Sequence, residues 1–172
     1  VCSISKDKPL EAWCYSDTRE APHALLLGDS HAEALYWSLV KNSQPAMRWM
    51  LSARFACAPM ANMKRITSSK ANVPDQQSND LSECEAQNKA ALEYATKSKN
   101  IDVVAIYSAI RILNSENYSF NFGEKPIQDG AFIGLSNIIS DLEHAGKKVI
   151  FLEDNPFIAH SAQCVLRRSG LS

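Results

Sequence analysis

The sequence predicts an α/β fold, a three-layer α/β/α sandwich on a mainly parallel sheet. Short apolar runs without alternation suit strands buried on both faces, and amphipathic helical stretches alternate with them along the chain. The length, 172 residues, fits one domain spanning residues 1–172. Such a chain buries roughly two-thirds of its unfolded surface, enough to build its own core.

Residues 1–22 read as an irregular lead-in. Ala24 to Leu27 is an unbroken apolar run ending in Gly28-Asp29, and Ser30-His31-Ala32-Glu33 follows. An acid three positions after a serine is the pattern of a capping box. Ala32, Leu35 and Leu39 continue at helical spacing, so strand, tight turn and helix occupy residues 24–40. Met47 to Phe55 is a second strand candidate, followed by Cys57-Ala58-Pro59, and the polar residues 62–79 read as a loop.

From Asp80 to Lys97, Leu81, Cys84, Ala91, Leu92 and Ala95 form an interrupted helical stripe, with Ser82 and Glu85 as a second capping pair. Asp102 to Tyr107 is rich in β-branched residues and predicts a third strand. After a loop through Asn121-Phe122-Gly123, residues 130–145 predict an amphipathic helix. Phe132, Leu135, Ile138, Ile139 and Leu142 line one side and Gly146 supplies the stop. Lys148 to Leu152 is a fourth strand, closed by Asp154-Asn155-Pro156. The last dozen residues, with Cys164, Arg167 and Arg168, make no recognisable final element, so the domain is expected to be incomplete at its C-terminus. The start, Val1-Cys2 without an initiator methionine, reads as a processed product or an excised domain.

Composition excludes several classes. A formal net charge of −1 gives no field to draw in nucleic acid or an anionic membrane, and no nucleic-acid partner is expected. Lys64, Arg65 and Lys70 form a local basic patch that reads as a solvated loop. No apolar run approaches the roughly 20 residues that span a bilayer. No CxxC or clustered Cys/His pattern marks a zinc site. The first turn lacks Gly-x-Gly-x-x-Gly, and Asp29 is unhelpful beside a phosphate, which argues against a flavodoxin-like or dinucleotide domain. Neither a metal nor an organic cofactor is expected.

The five cysteines are more informative. Cys2 and Cys14 flank one short polar segment, and Cys57 and Cys84 flank another. Each pair would close a loop with few packing contacts of its own, where a disulfide helps most. Cys164 is then the odd one out. The arithmetic points to an oxidising compartment.

Ser30 carries the candidate chemistry. A serine at a strand-to-helix turn projects its hydroxyl from the C-terminal edge of a parallel sheet, with backbone N–H groups at the helix start facing any developing oxyanion. A serine alcohol is a poor nucleophile without a histidine in reach. The bland alternative is that Ser30 merely caps the helix together with Glu33.

The string Leu25-Leu26-Leu27-Gly28-Asp29-Ser30-His31-Ala32-Glu33 resembles the first motif of the SGNH/GDSL hydrolases, in which an apolar strand enters Gly-Asp-Ser. His after Ser, followed by Ala, is especially similar to the SGNH domains attached to bacterial membrane acyltransferases of the acyltransferase-3 class. Cys57-Ala58-Pro59-Met60 resembles the Cys-x-Pro segment after the second strand, and Cys84 sits where the next helix begins. Asp102-Val103-Val104-Ala105-Ile106 resembles the third-strand motif, and Val149 to Pro156 the later strand with its Pro-containing exit. The likeness covers most of residues 14–166.

That resemblance implies Ser30 as nucleophile, with Gly28, Asp29 and Ser108 as oxyanion or turn support and His31 and Arg111 about the pocket. It also implies an extracytoplasmic domain at the periplasmic face of a bacterial inner membrane, tethered to a membrane acyltransferase domain. The partners would be an acyl donor and a glycan acceptor, the acyl group commonly acetyl. Two departures stand out. Tyr107-Ser108-Ala109-Ile110 puts Ala109 where the family has an oxyanion-hole Asn, and the second motif's glycine is not evident near Ser52 to Ala56. No Asp-x-x-His follows Leu152, although Asp154 and His160 lie six apart. His31, as Ser30's neighbour on a helix, is expected to point elsewhere, and Asp29 to hydrogen-bond within the turn and orient it.

Three functions are open at this stage. The first is O-acyl transfer to an envelope polysaccharide through a serine acyl-enzyme, with the missing Asp and His beyond Ser172. The second is a secreted carbohydrate esterase, and the third a non-catalytic glycan- or partner-binding domain. Tyr36, Trp37 and Trp49 could offer a sugar surface, though core packing is the expected use of each. His23 and His144 are expected to be surface or structural residues.

Overall fold

The computed structural model describes residues 12–16, 20–43, 47–60, 64–67, 77–109, 118–122, 125–127 and 130–154. Five strands form the main sheet: β1 (Ala12–Ser16), β2 (Ala24–Gly28), β3 (Trp49–Arg54), β5 (Val103–Tyr107) and β8 (Lys148–Leu152), in the order β1-β3-β2-β5-β8. All neighbours are parallel except β1, which runs antiparallel along β3. Among the described residues three helices connect the parallel strands: α1 (Ser30–Asn42), α2 (Gln77–Lys97) and α3 (Gly130–His144). The three-layer, mostly parallel arrangement expected from the sequence is the one found.

Alternation along β2 builds both halves of the core. Successive strand side chains point to opposite faces. Ala24 and Leu26 therefore join Ala32 and Tyr36 of α1, together with Trp49, Leu51, Ala53 and Ala105. Leu25 and Leu27 face the other way, into Ala91 and Ala95 of α2 and Ile138 and Leu142 of α3. Every residue of β2 and β3 is buried, which is why neither strand alternates in sequence.

Several boundaries differ from the sequence reading. Residues 12–16, inside the expected lead-in, form the edge strand β1, with Cys14 opposite Ser52. The stretch read as a polar loop contains β4 (Lys64–Thr67) and the start of α2, so Ser82 and Glu85 lie inside the helix rather than capping it. β6 (Tyr118–Phe122) and β7 (Lys125–Ile127) replace the expected loop around Asn121; β6 pairs with β4 on one side and β7 on the other in a small antiparallel sheet. Ile66 pairs with Ser119, and no local pattern announces a partner so distant in sequence.

On α3 the buried stripe is Ala131, Gly134, Ile138 and Leu142, while Phe132 is 72% exposed. Spacings of three and four set that stripe, and Phe132 sits one residue off it. Gly146 ends α3 at φ +75°, where the N–H groups of Gly146 and Lys147 return to the carbonyls of Glu143 and Leu142, as in a Schellman cap.

Candidate active site

The topology selects the place. From β2 the chain crosses by α1 to β3 on one side; by α2 it returns past β2 to β5 on the other. The C-terminal ends of β2 and β5 thus flank the point where the winding direction reverses, the usual ligand crevice of open α/β sheets. Those two ends carry Gly28-Asp29-Ser30 and Tyr107-Ser108-Ala109.

Gly28 pairs in register with Tyr107. A Cβ on Gly28 would lie 1.8 Å from the Tyr107 carbonyl oxygen and 2.6 Å from Ala32 Cβ. The close approach of two backbones therefore demands glycine here. Asp29 follows, fully buried, and is the true N-cap of α1. Its Oδ1 accepts from the His31 N–H at 2.8 Å. Its Oδ2 accepts from Ser108 Oγ at 2.8 Å and from the Ala109 N–H at 2.8 Å. Three donors on one carboxylate tie the start of α1 to the end of β5. Asp29 thus hydrogen-bonds within the turn, and Ser108 Oγ donates to the same carboxylate.

That cap changes the reading of Ser30. The expected Ser30/Glu33 capping box does not form. Asp29, one residue earlier, takes the capping role, for which a carboxylate suits the helix N-terminus. Glu33 Oε1 instead accepts from Trp37 Nε1 at 3.4 Å. Ser30 becomes the first helical residue, half-buried, and among the described residues no hydrogen bond engages its hydroxyl.

His31 brings a residue from across the sheet. Its Nδ1 lies 3.0 Å from Asp154 Oδ1, and the Tyr107 hydroxyl donates to the same oxygen at 3.2 Å. An ionised carboxylate only accepts, so Nδ1 carries a proton, and in the neutral ring Nε2 is then the acceptor. The His31 and Tyr107 rings are 6.0 Å apart, tilted by 57°. Asp154, six residues before His160 in sequence, meets His31 and Tyr107 here, and His160 lies outside the described residues. Arg111, Cys2, Lys70 and Cys164 also lie outside them.

Burial raises the Tyr107 phenol above its ordinary value, and the negative charge of Asp154, its hydrogen bond and the more distant Asp29 add to the shift. A raised folded-state value favours the protonated form. The linked stability is complete below the unfolded tyrosine value of about 10 and is lost as pH rises through the folded value. A difference absorbance titration against Tyr107→Phe should find this phenol ionising later than free tyrosine. Asp154→Asn should lower it part of the way, leaving the share due to burial; an unchanged titration would contradict the contact.

The other wall is the turn after β3. Ala56 adopts φ +50°, the left-handed region glycine occupies most readily, so the backbone shape is present although the residue is alanine. Ala58 and Met60 pack with Ala109 and Ala131. Asn88 Nδ2 donates to the Ala58 and Met60 carbonyls at 2.7 and 3.3 Å, and Gln87 Nε2 to the Ala53 carbonyl at 2.8 Å. Buried Arg54 meets Glu83 at 2.7 Å. Cys57 and Cys84 form a disulfide, pinning the turn to α2 as their spacing suggested.

Asn88, Gln87, Arg54 and Tyr107 were not singled out from the sequence. Only Tyr107 carried a signal, as the last residue of a predicted strand at the functional edge. Elsewhere His23 contacts Arg48, and His144 is exposed, 3.4 Å from Ser140. Among the described residues no group of three metal-ligating side chains converges, and no helix is long and apolar enough to cross a membrane.

No curated protein and no solved structure gives a significant match to the chain. The family model described as "SGNH domain (fused to AT3 domains)" matches residues 1–172. With the Gly-Asp-Ser turn at the switch point of a mostly parallel sheet, the chain belongs to the SGNH domain family whose members are fused to AT3 domains.

Proposed function

We propose that the domain transfers an O-acyl group, acetyl in the first instance, to a cell-envelope glycan through an acyl-enzyme on Ser30. The carrying observation is that Asp29 caps α1 and leaves the Ser30 hydroxyl outside the described hydrogen-bond network at the sheet edge. Family membership supports a general O-acyltransferase or esterase role on a glycan, tethered to a membrane acyltransferase domain. An extracytoplasmic, periplasmic location accords with that fusion and with the Cys57–Cys84 disulfide.

In the proposed sequence Ser30 Oγ attacks the acyl carbonyl and gives its proton to an imidazole, while the donor's alcohol leaves carrying a proton. The acceptor hydroxyl then attacks the acyl-enzyme, passes its proton to the same base, and Ser30 is restored. In this reading the Ser30 N–H at the start of α1 favours the oxyanion, since the His31 N–H is committed to Asp29. Among the described residues His31 is the imidazole at this edge, held through Nδ1 by Asp154.

A fluorophosphonate should label the intact protein at Ser30, and Ser30→Ala should abolish both labelling and acyl transfer. A folded protein that stays unlabelled, with transfer unaffected in Ser30→Ala, would remove the proposal. His31→Gln then locates the base: slow labelling assigns it to His31, unchanged labelling to a residue outside those described.

One observation favours a second, non-catalytic reading as a glycan- or partner-binding domain. Ala109 has no side-chain donor, and its N–H is committed to Asp29, so this position offers nothing to an oxyanion. Glycan binding with Ser30 inert to every acyl donor would select that reading.

A further inference from the structure

Helix α1 carries Ser30 at its start and Trp37 two turns later. Seven residues return to the same helix face, and the rise between them is about 10.5 Å. Sequence reading placed Trp37 in the core, yet it is 57% exposed, and Tyr15 on the neighbouring β1 is 37% exposed. Their rings are 5.6 Å apart, tilted by 40°. Behind them buried Tyr36 meets Trp37 edge-on at 5.1 Å and Tyr15 at 6.0 Å. The Tyr36 hydroxyl donates to the Trp49 carbonyl at 3.4 Å, so the cluster is anchored in the core. A single exposed aromatic needs no explanation, whereas a supported cluster marks an interaction surface.

The chemistry of this surface selects its occupant. An indole face matches the C–H groups on the flat side of a pyranose, and rings with polar edges suit a partner that is apolar on its face and hydroxylated around its rim. Glu33 sits at that rim: it accepts from Trp37 Nε1 and retains lone pairs for sugar hydroxyls. Its charge disfavours anionic sugars, as do Asp29 and Asp154 nearer the sheet edge. A second copy of this chain would bring another Glu33 against the first if the two patches met face to face.

We propose that Trp37 and Tyr15 form a glycan subsite. It stacks a neutral, equatorially substituted hexopyranose whose chain runs along α1 and delivers a hydroxyl to Ser30. The link to Ser30 rests on the acyl-transfer reading; the binding itself does not.

Calorimetric titration of the protein with cellohexaose and with chitohexaose tests it. At least one should bind, Trp37→Ala should weaken that binding about tenfold or more, and Trp37→Tyr should recover most of the loss. Tyr15→Ala is a second variant, on the neighbouring strand β1, and should weaken binding as well. The subsite is overturned if neither sugar binds or if binding is the same in Trp37→Ala. It is equally overturned if sedimentation shows self-association that Trp37→Ala abolishes. Fluorophosphonate labelling is scored independently. Labelling without sugar binding removes the subsite and leaves the acyl-enzyme, and binding without labelling does the reverse.

Discussion

Gly28→Ala is expected to lower the melting temperature by roughly 6–12 °C and to loosen the seam between β2 and β5. The added methyl would stand 1.8 Å from a carbonyl oxygen of the adjacent strand. That atom belongs to the backbone of β5, which is paired on its other side to β8, so it cannot turn away as a side chain would. Overpacking of this kind costs about 3 kcal/mol, and for a chain of this length each kcal/mol moves the midpoint by about 2–4 °C. A thermal melt followed by circular dichroism reads the change. Because Tyr107 supplies the clashing carbonyl, the late-ionising phenol should also shift toward the ordinary tyrosine value. A variant that melts like the wild type would mean the two backbones do not approach as described.

Asp29→Asn is expected to cost roughly 2–5 kcal/mol and to uncouple Ser30 from the end of β5. The native carboxylate accepts three hydrogen bonds in full burial. An amide offers one oxygen in their place and turns an N–H toward donors that need acceptors, leaving buried groups unsatisfied. Asp29→Ser separates the two roles. Serine can still cap α1 through the His31 N–H, but its shorter side chain cannot also reach Ser108 and Ala109. Denaturant melts should therefore place Asp29→Ser below the wild type, with α1 retained. Fluorophosphonate labelling should slow in both variants, since both release the turn that aims Ser30. Wild-type labelling rates in a measurably destabilised Asp29→Asn would show that the turn does not aim the serine.

Much of this architecture is legible in the chain because it is local. The Ala24–Leu27 run, the helix that follows, and Lys148–Leu152 with its preceding amphipathic helix are each specified by their own residues. Gly28-Asp29-Ser30 is readable for the same reason: strand, turn and helix are contiguous. What escaped is non-local. β1 exists because β3 offers it an edge, and the β4-β6-β7 sheet because segments far apart in sequence, β4 and β6, meet. The capping error at Ser30 was a competition between adjacent residues, Asp29 and Ser30, that spacing alone does not decide. Asp154 was noticed only for its spacing from His160, and its contacts with His31 and Tyr107 were not foreseen. His160 is its neighbour in sequence, whereas His31 meets it only once β2 and β8 lie on either side of β5. Trp37 was assigned to the core because a tryptophan on an amphipathic helix usually goes there; its exposure follows from the rotation of α1 set by Ala32 and Tyr36.

The acyl-enzyme at Ser30 is the central claim, and rapid-quench mass spectrometry of the intact protein mixed with 4-nitrophenyl acetate tests it most directly. The account predicts a mass increase of one acetyl group per chain within the burst, located on the peptide containing Gly28-Asp29-Ser30-His31 and absent from Ser30→Ala. A folded protein that releases nitrophenol while its own mass never changes, or that carries the acetyl group on another residue, would contradict it.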